Sequence, residues 1–580
     1  MNLPKFLSLL IAATLFFGLA PSVGIAGSGT EAKIESRLVE TLTRDGTANF
    51  IVEMSAHADL SAAYGLSDSR ARGQFVFDTL REFAQKSQAK VLTYAQQHGL
   101  RATSFLAANA VYIQGGELKD AVELAAIPGV GIVREERIVV GSAKSSNLAA
   151  RAGDFTLPTT IEWNIQDTLA DQLWTTYDIR GAGSKVALID TGVQWNHPAL
   201  INQFACPGAP TDPKCWKDPA NICGAGGACD NNGHGTHLMG IMVGDDGGVN
   251  QIGMAPEAQW IACKGCESFS CSESSLGACA DWILAPGGDP ANRPDVVYNG
   301  WGGMGGDTWF QPQVNAWRAA GIAPVFAAGG SGPGCGTLGS PADYQQVFTS
   351  AAHDANRVNA PFSSRGPSLF GHDPYTKPNS STPGVNIRSA YLTNTYLTMS
   401  GASMAGAHSG GALALVVSGC PALKWNVDGL FQALQNSADT PPPGNCGAPP
   451  DNQGNYTYGY GYLNVLAAVE QCLTGATLHV EDITLTKRQQ GGLFQIRASV
   501  LIQDQKGAAN SGAQVFLDYT LPNGKTRSAD RPTGPTGIAI FAGKTTFTGT
   551  WTFCVTDVVK EGYAYDPSQN VETCDSLTLP

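Results

Sequence analysis

Cysteine is missing from the first 205 residues of this 580-residue chain; all 14 cysteines fall at or after Cys206. The N-terminal part therefore carries no cystine framework and no thiolate metal site of its own. Basic charge is also scarce: 36 Lys and Arg stand against 49 Asp and Glu, a formal net charge of −13. That shortage argues against nucleic acid as a partner. Acidic and basic residues cancel over 1–150, so the whole excess lies in 151–580, where it serves solubility. After residue 26 no apolar run reaches the about 20 residues that a membrane span requires.

What is present begins at the N-terminus. Lys5, the apolar run Phe6–Leu19 and the small-residue end Gly24-Ile25-Ala26 read as a secretory signal over 1–26. Export and an even cysteine count predict disulfides. Cys554 and Cys574, alone in the last segment, are expected to pair. Cys263, Cys266, Cys271 and Cys279 are spaced in a way that also suits zinc, a reading that export ranks below disulfides. The length allows three or four domains at about 150 residues each, and a hydrophobic content of 43% can fill a large core.

The chemistry concentrates in three stretches. Thr398 to His408 sets Ser403 among small residues ahead of the Ala/Gly-rich run that ends at Val417. This predicts a hydroxyl at the start of a buried helix, beside free N–H groups and partial positive charge. Val186 to Val193 is an apolar run ending in Asp190-Thr191-Gly192, as expected of a buried parallel strand whose carboxylate emerges at its C-terminal edge. Asn232 to Gly240 puts His234 at the start of another small-residue helix. The chain order Asp190, His234, Ser403 is that of subtilisin.

Together these motifs resemble the subtilisin-like serine proteases. Gly253–Ala258, Phe362–Pro367 and Pro383–Ile387 add to the resemblance, and Asp295–Gly303 with Val314–Ala320 point to the bacillopeptidase F branch. The resemblance covers roughly residues 30 to 475. It implies an inhibitory α+β propeptide over 27–150 and an α/β catalytic domain over 151–475 with a parallel sheet and helices on both faces; the signal over 1–26 and a C-terminal domain over 476–580 are read from the residues on either side. Strand and helix patterns agree with this division. Phe50–Met54, Ala110–Ile113 and Val130–Val140 read as strands, Leu80 to Ala95 as a helical stripe and Glu117–Ala126 as a short helix, with cleavage expected within Ser142–Gly153. Alternating strands from Leu478 onward, with a hairpin at Leu521–Lys525, predict a β-sandwich of immunoglobulin-like class.

The resemblance gives each residue an expected role. Ser403 is the nucleophile, His234 its base and Asp190 the group that orients the imidazole, while His197, His237 and His408 are structural. A peptide substrate would pair along Gly300-Trp301-Gly302, with Ala327-Ala328-Gly329 on the other side of the first specificity pocket. The chain departs from the family at three positions. Gly330 stands where the oxyanion asparagine is expected, Ala402 where a threonine precedes the serine, and Ala407 where a proline comes after it. The remaining oxyanion donors are then the Ser403 N–H and one of Ser331, the Gly330 amide or water. The expected activity is a secreted, slow serine endopeptidase made as a pre-pro-enzyme. Its partners would be protein or peptide substrates and its own propeptide as intramolecular inhibitor, with no nucleic acid and no membrane span in the mature form. The chemistry requires no cofactor; the family implies structural calcium, whose ligands the sequence does not assign. Two alternatives stand beside this: an impaired homologue that binds peptides, and an acyl transferase or ligase.

Overall fold

A computed structural model describes residues 33–580 except 141–160, 269, 371–375, 450–452, 474–475, 506 and 561–562. The signal over 1–26 and the expected cleavage stretch Ser142–Gly153 lie outside the described residues. The chain divides into two compact units, one of residues up to 56 with 90–103 and 111–135, the other of 57–89, 104–110 and 136–580.

Elements run in chain order as α1 (Ser36–Asp45), β1 (Thr47–Met54), α2 (Ser69–Ser87), α3 (Ala89–Gln97), β2 (Arg101–Phe105), β3 (Ala110–Glu117), α4 (Leu118–Ala125), β4 (Val130–Glu135) and β5 (Ile138–Val140). In the first unit, the sheet order is β2-β3-β1-β4. Leu38, Phe50, Val52, Val91, Val111, Ile113, Leu124 and Val133 form its core. The expected stripe from Leu80 to Ala95 is broken into α2 and α3 at Gln88. That side chain is fully buried and donates to the Phe105 carbonyl and to Asn109 Oδ1, both at 3.0 Å. The expected strand Val130–Val140 is likewise two strands.

The second unit continues with α5 (Trp163–Asp167), α6 (Ala170–Tyr177), β6 (Lys185–Asp190), β7 (Trp216–Lys217), α7 (His234–Val243), β8 (Gln259–Lys264), β9 (Ser270–Ser272), α8 (Glu273–Leu284), β10 (Val296–Asn299), α9 (Gln311–Ala319), β11 (Ala323–Ala327), β12 (Phe348–His353), β13 (Ser380–Pro383), β14 (Ile387–Tyr391), β15 (Thr395–Met399), α10 (Ala402–Gly419), α11 (Val427–Asn436) and α12 (Val465–Leu473). The central sheet has seven strands in the order β13-β12-β11-β10-β6-β8-β7, each pair parallel. Its inner strands are apolar on both faces because helices cover both. Helix α10 packs on β10 to β13 beside α7, α11 and α12, while α8 and α9 pair with each other and meet β6, β8 and β11. A parallel sheet covered in this way gathers its functional groups at the strands' carboxyl ends.

Residues 476–580 form two four-stranded sheets: β16 (Ala476–Gln490), β17 (Leu493–Asp504), β20 (Ile538–Thr545) and β22 (Tyr563–Tyr565) in one, β18 (Gln514–Thr520), β19 (Thr526–Pro532), β21 (Gly549–Val559) and β23 (Cys574–Leu579) in the other. Alternate residues such as Val480, Ala498, Val500, Val515, Leu517, Phe553 and Val555 face inward and make a separate core.

All 14 cysteines are paired: 206–215, 223–229, 263–279, 266–271, 335–446, 420–472 and 554–574. The cysteines with zinc-like spacing are thus spent on two disulfides, and Cys554 meets Cys574 as expected. Disulfides of this number belong to oxidising compartments. Among the described residues, no helix is long and apolar enough to cross a membrane.

Candidate active site

Strand β6 is fully buried beyond its first residue and ends at Asp190, which is 2% exposed. One carboxylate oxygen, Oδ1, accepts the Thr191 N–H at 2.8 Å and the His234 Nδ1–H at 2.7 Å. His234 is the first residue of α7, preceded by Gly233 at φ 97°. Burial pulls the His234 pKa down, but the Asp190 charge and hydrogen bond outweigh it and Asp230 adds to them, so it lies above 6.5. The ring is therefore held by a carboxylate at one nitrogen, which leaves Nε2 for a proton donor.

Ser403 is the second residue of α10, half-buried, with its N–H in the first helical turn where no intrahelical acceptor exists. Its hydroxyl donates to the Gly300 carbonyl at 3.3 Å. His234 and Asp190 also converge on Gly300. A Cβ built there would lie 3.2 Å from His234 Cε1, 2.3 Å from Asp190 Oδ2 and 2.5 Å from Leu238 Cδ1. Only glycine leaves room for the carboxylate. The three groups thus meet around one residue, with the serine hydroxyl turned to the Gly300 carbonyl. Such bonds in free enzymes tighten onto the base when substrate binds.

Tyr298, at the centre of β10, supports this turn from below. Its hydroxyl donates to the Ser403 carbonyl at 2.5 Å, and the ring fills the space left by Gly406. Asp230 organises the histidine side. Its Oδ1 accepts from the Thr191 hydroxyl and from the Asn232 and Gly233 N–H groups, and its Oδ2 from the Thr236 N–H and hydroxyl. It thereby ties the end of β6 to the start of α7. Sequence reading missed both residues. The only local signal for Asp230 is an acid four residues before the histidine.

On the substrate side, Gly300 is half-buried, Trp301 and Gly302 are buried, and Gly303 is exposed. The Trp301 ring is 2% exposed and packs edge-on against Phe310 and Phe326, so only its backbone is available to a peptide. Ala327 and Ala328 are buried, and Gly329 and Gly330 half-buried. Gly329 has φ +100°, and Ser364 Oγ lies 2.9 Å from where its Cβ would be. The Ser331 N–H donates to Ser364 Oγ at 3.1 Å, so that backbone group is already engaged. The Gly330 N–H has no acceptor among the described hydrogen bonds.

Three other histidines, His197, His237 and His408, are held neutral. Burial takes His237 down to about 3 and His408 to about 4, and it also lowers His197. His237 Nε2 donates to the Leu397 and Ile387 carbonyls, His408 Nδ1 to Met404 and His197 Nε2 to Thr395. Among the described residues, no three His, Cys, Asp or Glu side chains converge as metal ligands.

Residues 181–461 match the model of the subtilase family. The chain is 32% identical over 480 residues to Bacillopeptidase F of Bacillus subtilis (strain 168), a match covering 76% of this chain and 33% of that protein. The chain therefore spans about a third of the length of that relative. It is 31% identical over 294 residues to Subtilisin DY of Bacillus licheniformis, covering 50% of this chain and 92% of the relative. Against the thermostable alkaline protease of Halalkalibacterium halodurans it is 30% identical over 282 residues, 48% of this chain and 69% of the relative. A carboxylate, an imidazole and a helix-start hydroxyl gathered at the carboxyl end of a seven-stranded parallel sheet, in a chain with these relatives, place the protein in the subtilase family of serine proteases.

Proposed function

We propose that the chain is an exported serine endopeptidase, made as a pre-pro-enzyme, that cleaves peptide bonds through an acyl-enzyme on Ser403. The observation that carries this reading is the 2.7 Å Asp190–His234 bond together with the meeting of the His234 ring and the Ser403 hydroxyl at Gly300. The serine hydroxyl turns from the Gly300 carbonyl to His234 Nε2 and gives up its proton as it attacks the peptide carbonyl. His234 passes that proton to the leaving amine, and water then repeats the sequence on the ester. Asp190 fixes the tautomer and stabilises the imidazolium. The oxyanion is served by the Ser403 and Gly330 N–H groups.

Residues 27–150 act as the propeptide in this reading. Strand β5 pairs antiparallel with β9, Val139 opposite Cys271, and Val139 Cγ1 lies 3.9 Å from the Cβ position of Gly303. An extended segment thus runs between β9 and Gly303, where a substrate would add a strand. This makes β9 the edge opposite Gly300-Trp301-Gly302, a second substrate edge that no motif announces. The loss of one oxyanion donor costs about 100- to 1,000-fold in turnover, so Gly330 supports a slow enzyme. The same glycine is what favours the second reading, an impaired homologue that binds peptides.

The deciding experiment compares turnover of an unstructured protein by the mature chain with that of Ser403→Ala, and maps a serine-directed phosphonate by mass spectrometry. Labelling at Ser403 with turnover lost in Ser403→Ala is the expected result. Equal rates overturn the endopeptidase reading.

A further inference from the structure

Helix α2 belongs to the unit that holds the candidate active site, although it precedes β5 by some 50 residues. Its buried face is Gly73, Val76, Leu80 and Ala84, a helical stripe. Val76 and Leu80 are part of the same core cluster as β6 and α10. Two arginines fasten it. Arg72 donates through Nε to the Ala319 carbonyl at 2.6 Å, through Nη2 to Arg318 at 2.8 Å and through Nη1 to Trp425 at 3.1 Å. From the opposite side, Arg293 donates through Nη2 to the Ser69 carbonyl at 2.5 Å and through Nε to Ala320 at 3.0 Å, with its guanidinium 4.0 Å from the centre of the Trp425 ring. Gly73 is what lets the helix lie on Arg293: a Cβ there would be 2.6 Å from Nη1. The Arg318, Ala319 and Ala320 carbonyls end α9, where the dipole is negative, so two cations fit there; the Arg318 carbonyl also takes the Gly321 N–H at 2.9 Å.

This contact lies at the wrong end of the sheet to block catalysis. The Arg293 segment leads into β10, and the end of α9 leads into β11: the Ala323 N–H donates to the Asp295 carbonyl and the Asp295 N–H to Lys185. Those are the amino ends of β11, β10 and β6. Asp190 and Gly300 mark the carboxyl ends. Strands of four to six residues separate the two edges by about 13–20 Å.

We propose that the α2 contact is a second anchor for the pro-segment, outside the cleft: the patch formed by Arg293, Trp425 and the carbonyl end of α9 binds an arginine-bearing amphipathic helix, and its first occupant is residues 57–89 of this same chain. The anchor keeps the pro-segment on the enzyme after the chain is cut and sets how long latency lasts. This rests on the propeptide reading above, and its test has two arms so that the two can fail separately.

The first arm needs no catalysis. In the full-length chain carrying Ser403→Ala, hydrogen exchange of the α2 amides is compared with and without Arg72→Ala. Removing three charge-assisted bonds should speed exchange over Ser69–Ser87 by at least about tenfold, with α7 and α10 amides unchanged. Arg72→Lys, which keeps the charge but loses the fork, should fall between the two and covers the case in which the alanine variant folds poorly. Unchanged protection in α2 overturns the anchor. The second arm uses the chain with Ser403 intact. Arg72→Ala should shorten the lag before peptide hydrolysis by about tenfold or more and abolish co-elution of the pro-fragment with the catalytic chain. A lag and co-elution equal to wild type overturn the proposed control of latency, whereas absence of any self-cleavage counts against the protease reading and leaves the first arm to decide the anchor.

Discussion

Among the described residues, two Asp–His–Ser constellations stand in the same chain order. One is Asp190, His234, Ser403. The other is Asp167, His353, Ser381, and as a hydrogen-bonded relay it is the more complete. His353 Nε2 donates to Asp167 Oδ2 at 3.0 Å, and Nδ1 accepts from the Ser381 hydroxyl at 3.0 Å. Arg357 grips the same carboxylate at 2.8 Å and reaches on to Asp439. Yet His353 and Ser381 are fully buried. Ser381 sits inside β13, its N–H given to the Gly461 carbonyl and its own carbonyl taken by the Leu463 N–H. A carbonyl carbon has no way in, and no free N–H waits for an oxyanion. Three residue types and continuous bonding do not make a nucleophile. The proposed nucleophile differs in being a half-open hydroxyl at a helix start, beside donors with nothing to hold.

That contrast can be broken experimentally, beginning with the serines. Ser403→Ala should lower turnover by about a millionfold, while Ser381→Ala should leave it within about threefold per folded molecule; comparable losses would erase the distinction. The acids should separate next. Asp190→Asn should cost about 10,000-fold in kcat with little change in denaturant midpoint. Asp167→Asn should do the reverse, removing about 3–5 kcal/mol of stability by leaving Arg357 and His353 without their carboxylate. Burial pushes Asp167 up, but His353 and Arg357 outweigh it and hold its pKa below 3.8. Its contribution is therefore present above the unfolded pKa and fades as pH falls through the folded one, visible as a drop in Tm only in strong acid.

A smaller effect sharpens the point about donors. Gly330→Asn should raise kcat by about ten- to a hundredfold with KM little changed, since it adds an amide beside the Ser403 N–H. No gain would mean that backbone groups already fill the role. The mildest expectation concerns pH. The raised pKa of His234 means that its imidazolium contributes stability below 6.5, lost as pH rises through the folded value. Catalysis needs the neutral ring, so kcat/KM should climb with pH through an inflection above 6.5. An inflection below 6.5 would show that Asp190 does not face this ring in solution.

The two constellations also show what a sequence can carry. Asp190, His234 and Ser403 stand in local motifs, because each needs glycine or alanine neighbours to bring backbone close and to start a helix. The parallel strand β6 was equally visible as a short apolar run, whereas β13, Ser380–Pro383, has no apolar run to show it. Asp167, His353 and Ser381 have no such surroundings and meet only through the tertiary fold. Tyr298 and β9 were hidden for the same reason: their partners are over a hundred residues away. Asp230 binds mostly near neighbours, and only its bond to Thr191, 39 residues back, shows that it ties β6 to α7. The long stripe through Leu80 and Ala95 reads as one helix because its period is continuous. Gln88 breaks it by turning inward toward Phe105 and Asn109. The strand beyond Val130 reads as unbroken because nothing between Glu135 and Ile138 signals a turn. There, Glu273 Oε2 takes the Arg137 N–H at 3.1 Å, and the Arg137 carbonyl takes the Glu273 N–H at 3.0 Å.

The placement of the cystines carries a last consequence. Every one of the seven links positions beyond 205 to each other, so no sulfur bridge fastens the leading third of the polypeptide to the remainder. If the chain is cut after the pro-segment as proposed, departure of residues 27–150 requires neither thiol nor reductase.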